Sequence, residues 1–144
     1  MTDPIKTAQE RFDQKFNCSQ AVFSAFAPKL GIQDEIALKL ASPFGGGTAH
    51  QGHVCGAVTG ALMTLGLQKG SATPETKDET YRLAEEYIKQ FQGRHGSILC
   101  RELTGYDISK LGELEKARDA GVFKNTCPGL VKTAAELVSE FLER

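Results

Sequence analysis

Apolar residues recur along the chain at the three- and four-residue steps that define one face of a helix, and no period-2 alternation persists. Ile5, Phe12 and Phe16 share a face of a first helix. Asn17 is placed to cap a second, with Val22, Phe23, Phe26 and Leu30 as its stripe, Pro28 ending or kinking it and Gly31 stopping it. Asp34 can cap a third, which Ser42-Pro43 terminates. A glycine-rich loop, Phe44 to His53, precedes a fourth helix from about Val54 to Leu67. Thr73-Pro74-Glu75 combines a cap, a proline in the first turn and an acid, the start signal of a fifth. Tyr81, Ala84, Tyr87, Ile88 and Phe91 form its buried face. Gly93 and Gly96 bracket a turn before a short helix from Ser97 to about Leu103, stopped at Gly105. The polar stretch from Tyr106 to Asn125 predicts one or two short helical turns. A last helix runs from about Pro128 to Leu142, with Leu130, Val131, Ala134, Leu137, Val138 and Phe141 inward. The pattern predicts an all-α, single-domain bundle of about five to seven helices with short loops.

Length agrees: 144 residues suit one domain spanning 1–144. With 17 basic and 18 acidic side chains the net charge is −1, which supplies no basic excess for phosphate and argues against nucleic acid as the main partner. The longest apolar stretch, Val54 to Leu67, falls short of a membrane span and is broken by Thr and Gly. The start, Met1-Thr2-Asp3-Pro4-Ile5-Lys6, has neither the basic nor the apolar region of a secretory leader, so the expected location is cytoplasmic. In that compartment cysteines are expected as metal ligands or redox thiols rather than structural disulfides.

The four cysteines, Cys18, Cys55, Cys100 and Cys127, are widely spaced, and no CxxC pair signals a thioredoxin-type site or a zinc ribbon. Their location says more. Cys18 follows the cap Asn17, Cys55 opens the fourth helix and Cys127 stands just before Pro128. Three thiols therefore lie at predicted helix N-termini, where free N–H groups and the helix dipole favour a thiolate. Cys100 lies inside the short helix. Gly45-Gly46-Gly47 lacks the Gly-Lys-Ser/Thr of a phosphate loop and reads either as a tight turn or as a nest of amides facing sulfur. Gly56 and Gly60, four apart in a helix, indicate close backbone packing. His50 and His53 precede Cys55 in a His-x-x-His-x-Cys string that could join a zinc site, although solvated loop histidines are the commoner case; His95 is expected to be exposed in its turn. No Ser/His/Asp order or paired-carboxylate signature is present to name an enzymatic reaction.

Asn17-Cys18-Ser19-Gln20-Ala21-Val22, Ser42-Pro43-Phe44-Gly45-Gly46-Gly47, Cys55-Gly56-Ala57-Val58-Thr59-Gly60-Ala61-Leu62, Gly96-Ser97-Ile98-Leu99-Cys100-Arg101-Glu102-Leu103 and Cys127-Pro128 follow one another in an order that resembles the C_GCAxxG_C_C family of putative redox-active proteins. The resemblance covers nearly the whole chain and includes all four cysteines; one departure is that the family label spells Gly-Cys-Ala where this chain reads Cys55-Gly56-Ala57. It implies a redox association and a metal centre held by the cysteines, and it supplies no substrate.

The expectation is therefore a domain in which Cys18, Cys55, Cys100 and Cys127 converge on an iron–sulfur cluster (2Fe–2S or 4Fe–4S) or zinc, for electron transfer, cluster carriage or redox sensing. In that reading amides of Gly45, Gly46, Gly47 and Gly56 donate to sulfur and tune the centre. The alternative is a metal-free thiol–disulfide oxidoreductase or peroxide sensor with Cys55 as the attacking thiolate. A third reading is a helical interaction module with inert core cysteines. A redox protein is the expected partner, and the Phe-rich first helix could serve a homodimer. A single ion requires the four sulfurs in one tight shell, a cluster a wider ring, and a disulfide only a close pair.

Overall fold

A computed structural model describes residues 3–144; Met1 and Thr2, which entered only the leader reading, lie outside the described residues. Among those residues the chain forms nine α-helical segments and three 3-10 turns. The long ones are α1 (Pro4–Asp13), α2 (Cys18–Phe26), α3 (Asp34–Ala41), α4 (Gly56–Lys69), α5 (Lys77–His95) and α9 (Cys127–Leu142). The short ones are α6 (Cys100–Thr104), α7 (Glu113–Asp119) and α8 (Val122–Asn125). The all-α expectation holds, with more segments than expected, because the polar stretch divides into α7 and α8. Gly112 and Gly121, at φ 81° and 79°, reset the chain before each of them.

The core lies where α2, α4 and α9 cross with α1 and α5 around them. Glycine permits a close crossing: a Cβ on Gly60 would fall 2.7 Å from the Ser19 carbonyl oxygen, so α4 presses directly on the α2 backbone. Tyr87, Phe91, Leu137, Val138 and Phe141 fill the space between α5 and α9. The Tyr87 and Phe141 rings meet edge to face at 5.5 Å, and the buried Tyr87 hydroxyl donates to the Ala134 carbonyl at 2.9 Å. A second cluster, Phe23, Ala27, Ala37 and Ala41, seats α3.

Several boundaries differ from the pattern for local reasons. The first helix does not reach Phe16: the N–H groups of Lys15 and Phe16 bond back to the Phe12 and Arg11 carbonyls at 3.1 and 3.2 Å, a Schellman ending with Lys15 at φ 79°. Asp34 is the first helical residue rather than a cap, and its carboxylate pairs with Arg11 at 2.7 Å. Tyr81 is 66% exposed instead of buried, and Gly93 lies within α5. His95, expected in solvent, is half-buried on Phe91 with its Nε2 2.9 Å from the Thr133 hydroxyl.

The N-terminus of α2 follows the sequence closely. Asn17 accepts from the Gln20 N–H at 2.9 Å while the Gln20 side chain accepts from the Asn17 N–H at 3.1 Å, a complete capping box. The Asn17 amide also donates to the Ser42 carbonyl at 3.0 Å, tying this cap to the glycine-rich loop. Asn17→Ala is expected to lower unfolding free energy by about 1–2 kcal/mol, read from the midpoint of a urea denaturation curve. Asn17→Asp, which keeps the capping oxygen, should recover most of the loss.

Candidate functional site

All four cysteines open on one cavity of about 530 Å³. Each stands at the beginning of a helix: Cys18 is the first residue of α2, Cys55 caps α4, Cys100 begins α6 and Cys127 begins α9. The expectation gave three such positions. Cys100 joins them because α6 starts at that residue rather than at Ser97.

The backbone explains the gathering. Val54 and Leu99 form an isolated antiparallel bridge. Beside it the Cys55 N–H donates to the Ile98 carbonyl at 2.7 Å and the Cys100 N–H to the His53 carbonyl at 2.7 Å. This short pairing replaces the expected first turn of the fourth helix and draws Cys55 and Cys100 to one wall. The stretch 106–125 supplies another, where Ile108, Ala117 and Val122 cluster with Cys100, and Cys127 packs against them. Cys55 and Cys100 are buried, Cys18 and Cys127 half-buried.

The glycine-rich loop makes this approach possible. Residues Gly46 to His50 run through the left-handed region with φ of 64°, 69°, 68°, 50° and 61°. Thr48, Ala49 and His50 each carry a cost of about 1–2 kcal/mol there. The turn is held by bonds from the His50 N–H to Gly45 (3.1 Å), Gly52 to Gly46 (3.2 Å) and His53 to Gly47 (2.9 Å). A Cβ on Gly47 would fall 2.8 Å from the Cys100 Cβ, and one on Gly56 would fall 2.5 Å from the Cys18 Sγ. Gly45 packs on the Asn17 side chain. The backbone amides of Gly46 and Ser19 favour negative charge on the Cys18 sulfur.

Cys18 and Cys55 line the same cavity and are electrostatically coupled. With Cys55 donating and these amides adding to it, Cys18 is held at about 7, well below an ordinary thiol, despite its desolvation. Cys55 is pushed well above the usual range by donating to Cys18, by burial and by the Cys18 charge. Burial first and the Cys18 charge second raise Cys100 to about 11; the same two causes, joined by Cys100, raise Cys127 to about 12. Helix starts therefore do not make thiolates of Cys55 and Cys127. In the metal-free chain Cys18 alone of the four is shifted towards the thiolate.

The histidine string does not form a site. His50 lines the cavity from the left-handed turn, His53 is exposed and absent from the lining, and no three His, Cys, Asp or Glu side chains among the described residues are close enough to enclose a single ion. The lining includes no aspartate or glutamate, whereas Lys15, Arg118 and Lys124 all contribute to it. No sequence signal pointed to these three.

An all-helical domain with four cysteine-headed helices around a cavity defines a class of four-thiol protein. The chain belongs to the family described as putative redox-active protein (C_GCAxxG_C_C), whose profile matches residues 16–141. No curated protein and no solved structure matches the chain.

The electrostatics predict ordered reactivity in the reduced, metal-free protein. Alkylation with iodoacetamide, mapped by mass spectrometry, should label Cys18 first with a midpoint near pH 7, leaving the other three slow until well above pH 9. Cys18 ionises more readily folded than unfolded, so its contribution to stability is complete above the unfolded value near 9.0 and is lost as pH falls through about 7. The three raised thiols act oppositely, and their contribution is lost as pH rises above the unfolded value. Stability should rise from pH 7 towards 9 and decline beyond it, and Cys18→Ser should abolish the rise.

Proposed function

We propose that the four-cysteine cavity is a redox centre and that it holds an iron–sulfur cluster on Cys18, Cys55, Cys100 and Cys127. The observation that carries this reading is the opening of four sulfurs, from four distant helix starts, on one cavity. The donor set suits such a group: soft sulfur ligands with no carboxylate, spread around a volume rather than closed on a point. A single zinc ion would need a tighter shell than these side chains form. Bound there, a cluster supplies one-electron exchange.

The chain's own residues then have separable tasks. The backbone at Gly46 and Ser19 favours charge on Cys18, and that at Ala57 and Val58 favours it on Cys55, which stabilises anionic sulfur and tunes its donor strength. Gly47 and Gly56 leave room beside Cys100 and Cys18 that a larger residue would occupy. Phe12, Phe16, Leu114 and Leu130 restrict water. The raised Cys55, Cys100 and Cys127 keep their protons until a cation replaces them, so loading releases protons.

The coupling of Cys18 and Cys55 on one cavity favours a second reading. In it the Cys18 thiolate attacks an external disulfide and forms a mixed disulfide, releasing one thiolate. Cys55 then loses its proton to solvent and displaces the second half. The external disulfide becomes two thiols as the Cys18–Cys55 bond forms, so two electrons move outward.

Protein purified under strict anaerobiosis and reconstituted with iron and sulfide should be brown, with acid-labile sulfide matching its iron, and each single Cys→Ser variant should lose most of that content. A colourless chain that retains neither, yet forms one intramolecular disulfide between Cys18 and Cys55, would decide for the second reading.

A further inference from the structure

We propose that the mouth of the cysteine cavity recognises a small organic anion, and that the centre's exchange partner is such a molecule rather than a protein surface. The naming of an exchange partner rests on the redox reading above; the anion recognition rests on the lining itself. Lys15, Arg118 and Lys124 line the cavity together with His50, all four are exposed, and no acidic side chain lines it with them. That is a local excess in a chain whose net charge is −1. None of the three cations enters an ion pair among the described residues, whereas Arg11, Lys39, Lys89 and Lys116 all do. Cations left without partners around a concave, partly apolar surface focus a field that draws anions in. The cavity's volume lies in the range of small-molecule sites and is too confined for a folded surface to enter.

The backbone carries a second, independent sign. Lys15 occupies the left-handed position of the Schellman ending of α1, where glycine is the usual residue. His50 closes the left-handed turn at φ 61°. Two of the four basic residues at the mouth therefore stand on backbone that a residue without a Cβ adopts more readily. At Lys15 such strain is kept where an ammonium lines the cavity, which indicates that the charge has a use there. The apolar part of the lining, Phe12, Phe16 and Phe123, offers ring faces and edges to the body of the ligand while the cations hold its anionic group.

The test compares two disulfide reagents on the reduced 144-residue chain: dianionic dithiobis-nitrobenzoate and neutral dithiodipyridine. In each case a cavity thiolate attacks one sulfur, a mixed disulfide forms and the other half leaves as a chromophoric thiolate or thione. The ratio of the two rates cancels changes in thiolate fraction. Relative to the same ratio for free cysteine, the protein should favour the dianion by about ten-fold or more at low salt, the lower end of electrostatic steering. The preference should collapse near 1 M salt, where the screening length is about 3 Å. Lys15→Gln with Arg118→Gln and Lys124→Gln should remove most of it. Lys15→Gly alone should lower it while raising the midpoint of thermal unfolding. Citrate should compete with the dianion more strongly than poly-glutamate at equal carboxylate concentration.

A ratio no higher than that of free cysteine, or one that survives the triple substitution, would overturn the inference. So would stronger competition by poly-glutamate, which would indicate an acidic protein surface. Failure of both reagents to react would also overturn it, since the cavity would then be closed to small molecules. Iron and sulfide content, measured separately, decides the cluster reading whatever this ratio shows.

Discussion

The pairing of residues 52–55 with 98–101 is the constraint on which the centre depends. It consists of one isolated bridge flanked by the Cys55 to Ile98 and Cys100 to His53 hydrogen bonds, each 2.7 Å. Too short to count as a sheet, it nevertheless joins the loop after α3 to the segment after α5 and fixes where α4 and α6 begin. Since Cys55 and Cys100 cap or open those helices, two sulfurs are positioned by backbone bonds instead of side-chain packing alone. Asn17 sets the third through the α2 cap and its bond to Ser42, and the start of α9 brings the fourth.

The electrostatic consequence is a cavity that stabilises one anionic sulfur and penalises more. Amides and the Cys55 thiol support Cys18; the same charge, with burial, holds protons on the other three. Four bare thiolates cannot share this volume without positive charge. In the cluster reading that charge arrives with iron. In the dithiol reading one thiolate beside one thiol is already the reactive state. At the exposed mouth the sign reverses, and Lys15, Arg118 and Lys124 present a cationic entrance to the sulfur-lined interior.

Local signals made much of this legible. Asn17 and Gln20 announce a capping box, Pro28 and Gly31 a stop, and Cys127-Pro128 a helix start, because each acts through neighbours within one turn. The cysteine positions and their order carried the family resemblance. What escaped was non-local or contrary to the usual residue choice. A single bridge between Val54 and Leu99 has no periodicity to detect, so the true starts of α4 and α6 were hidden. Lys15 in a left-handed ending replaces the glycine that would have marked it, and the charged residues of 106–125 resemble solvated surface until the fold turns Arg118 and Lys124 towards the cavity. Tyr81 fits the helical stripe but lies near the N-terminal end of α5, where its ring stays exposed.

Convergence of the sulfurs is best measured directly, with the short thiol-bridging reagent dibromobimane on the reduced native chain and peptide mapping of the products. The account predicts that Cys18 bridges to Cys55 as the main product, that Cys100 and Cys127 also appear in bridged peptides, and that all bridges vanish when the chain is denatured first. Single, unbridged attachment at four independent sites would contradict it.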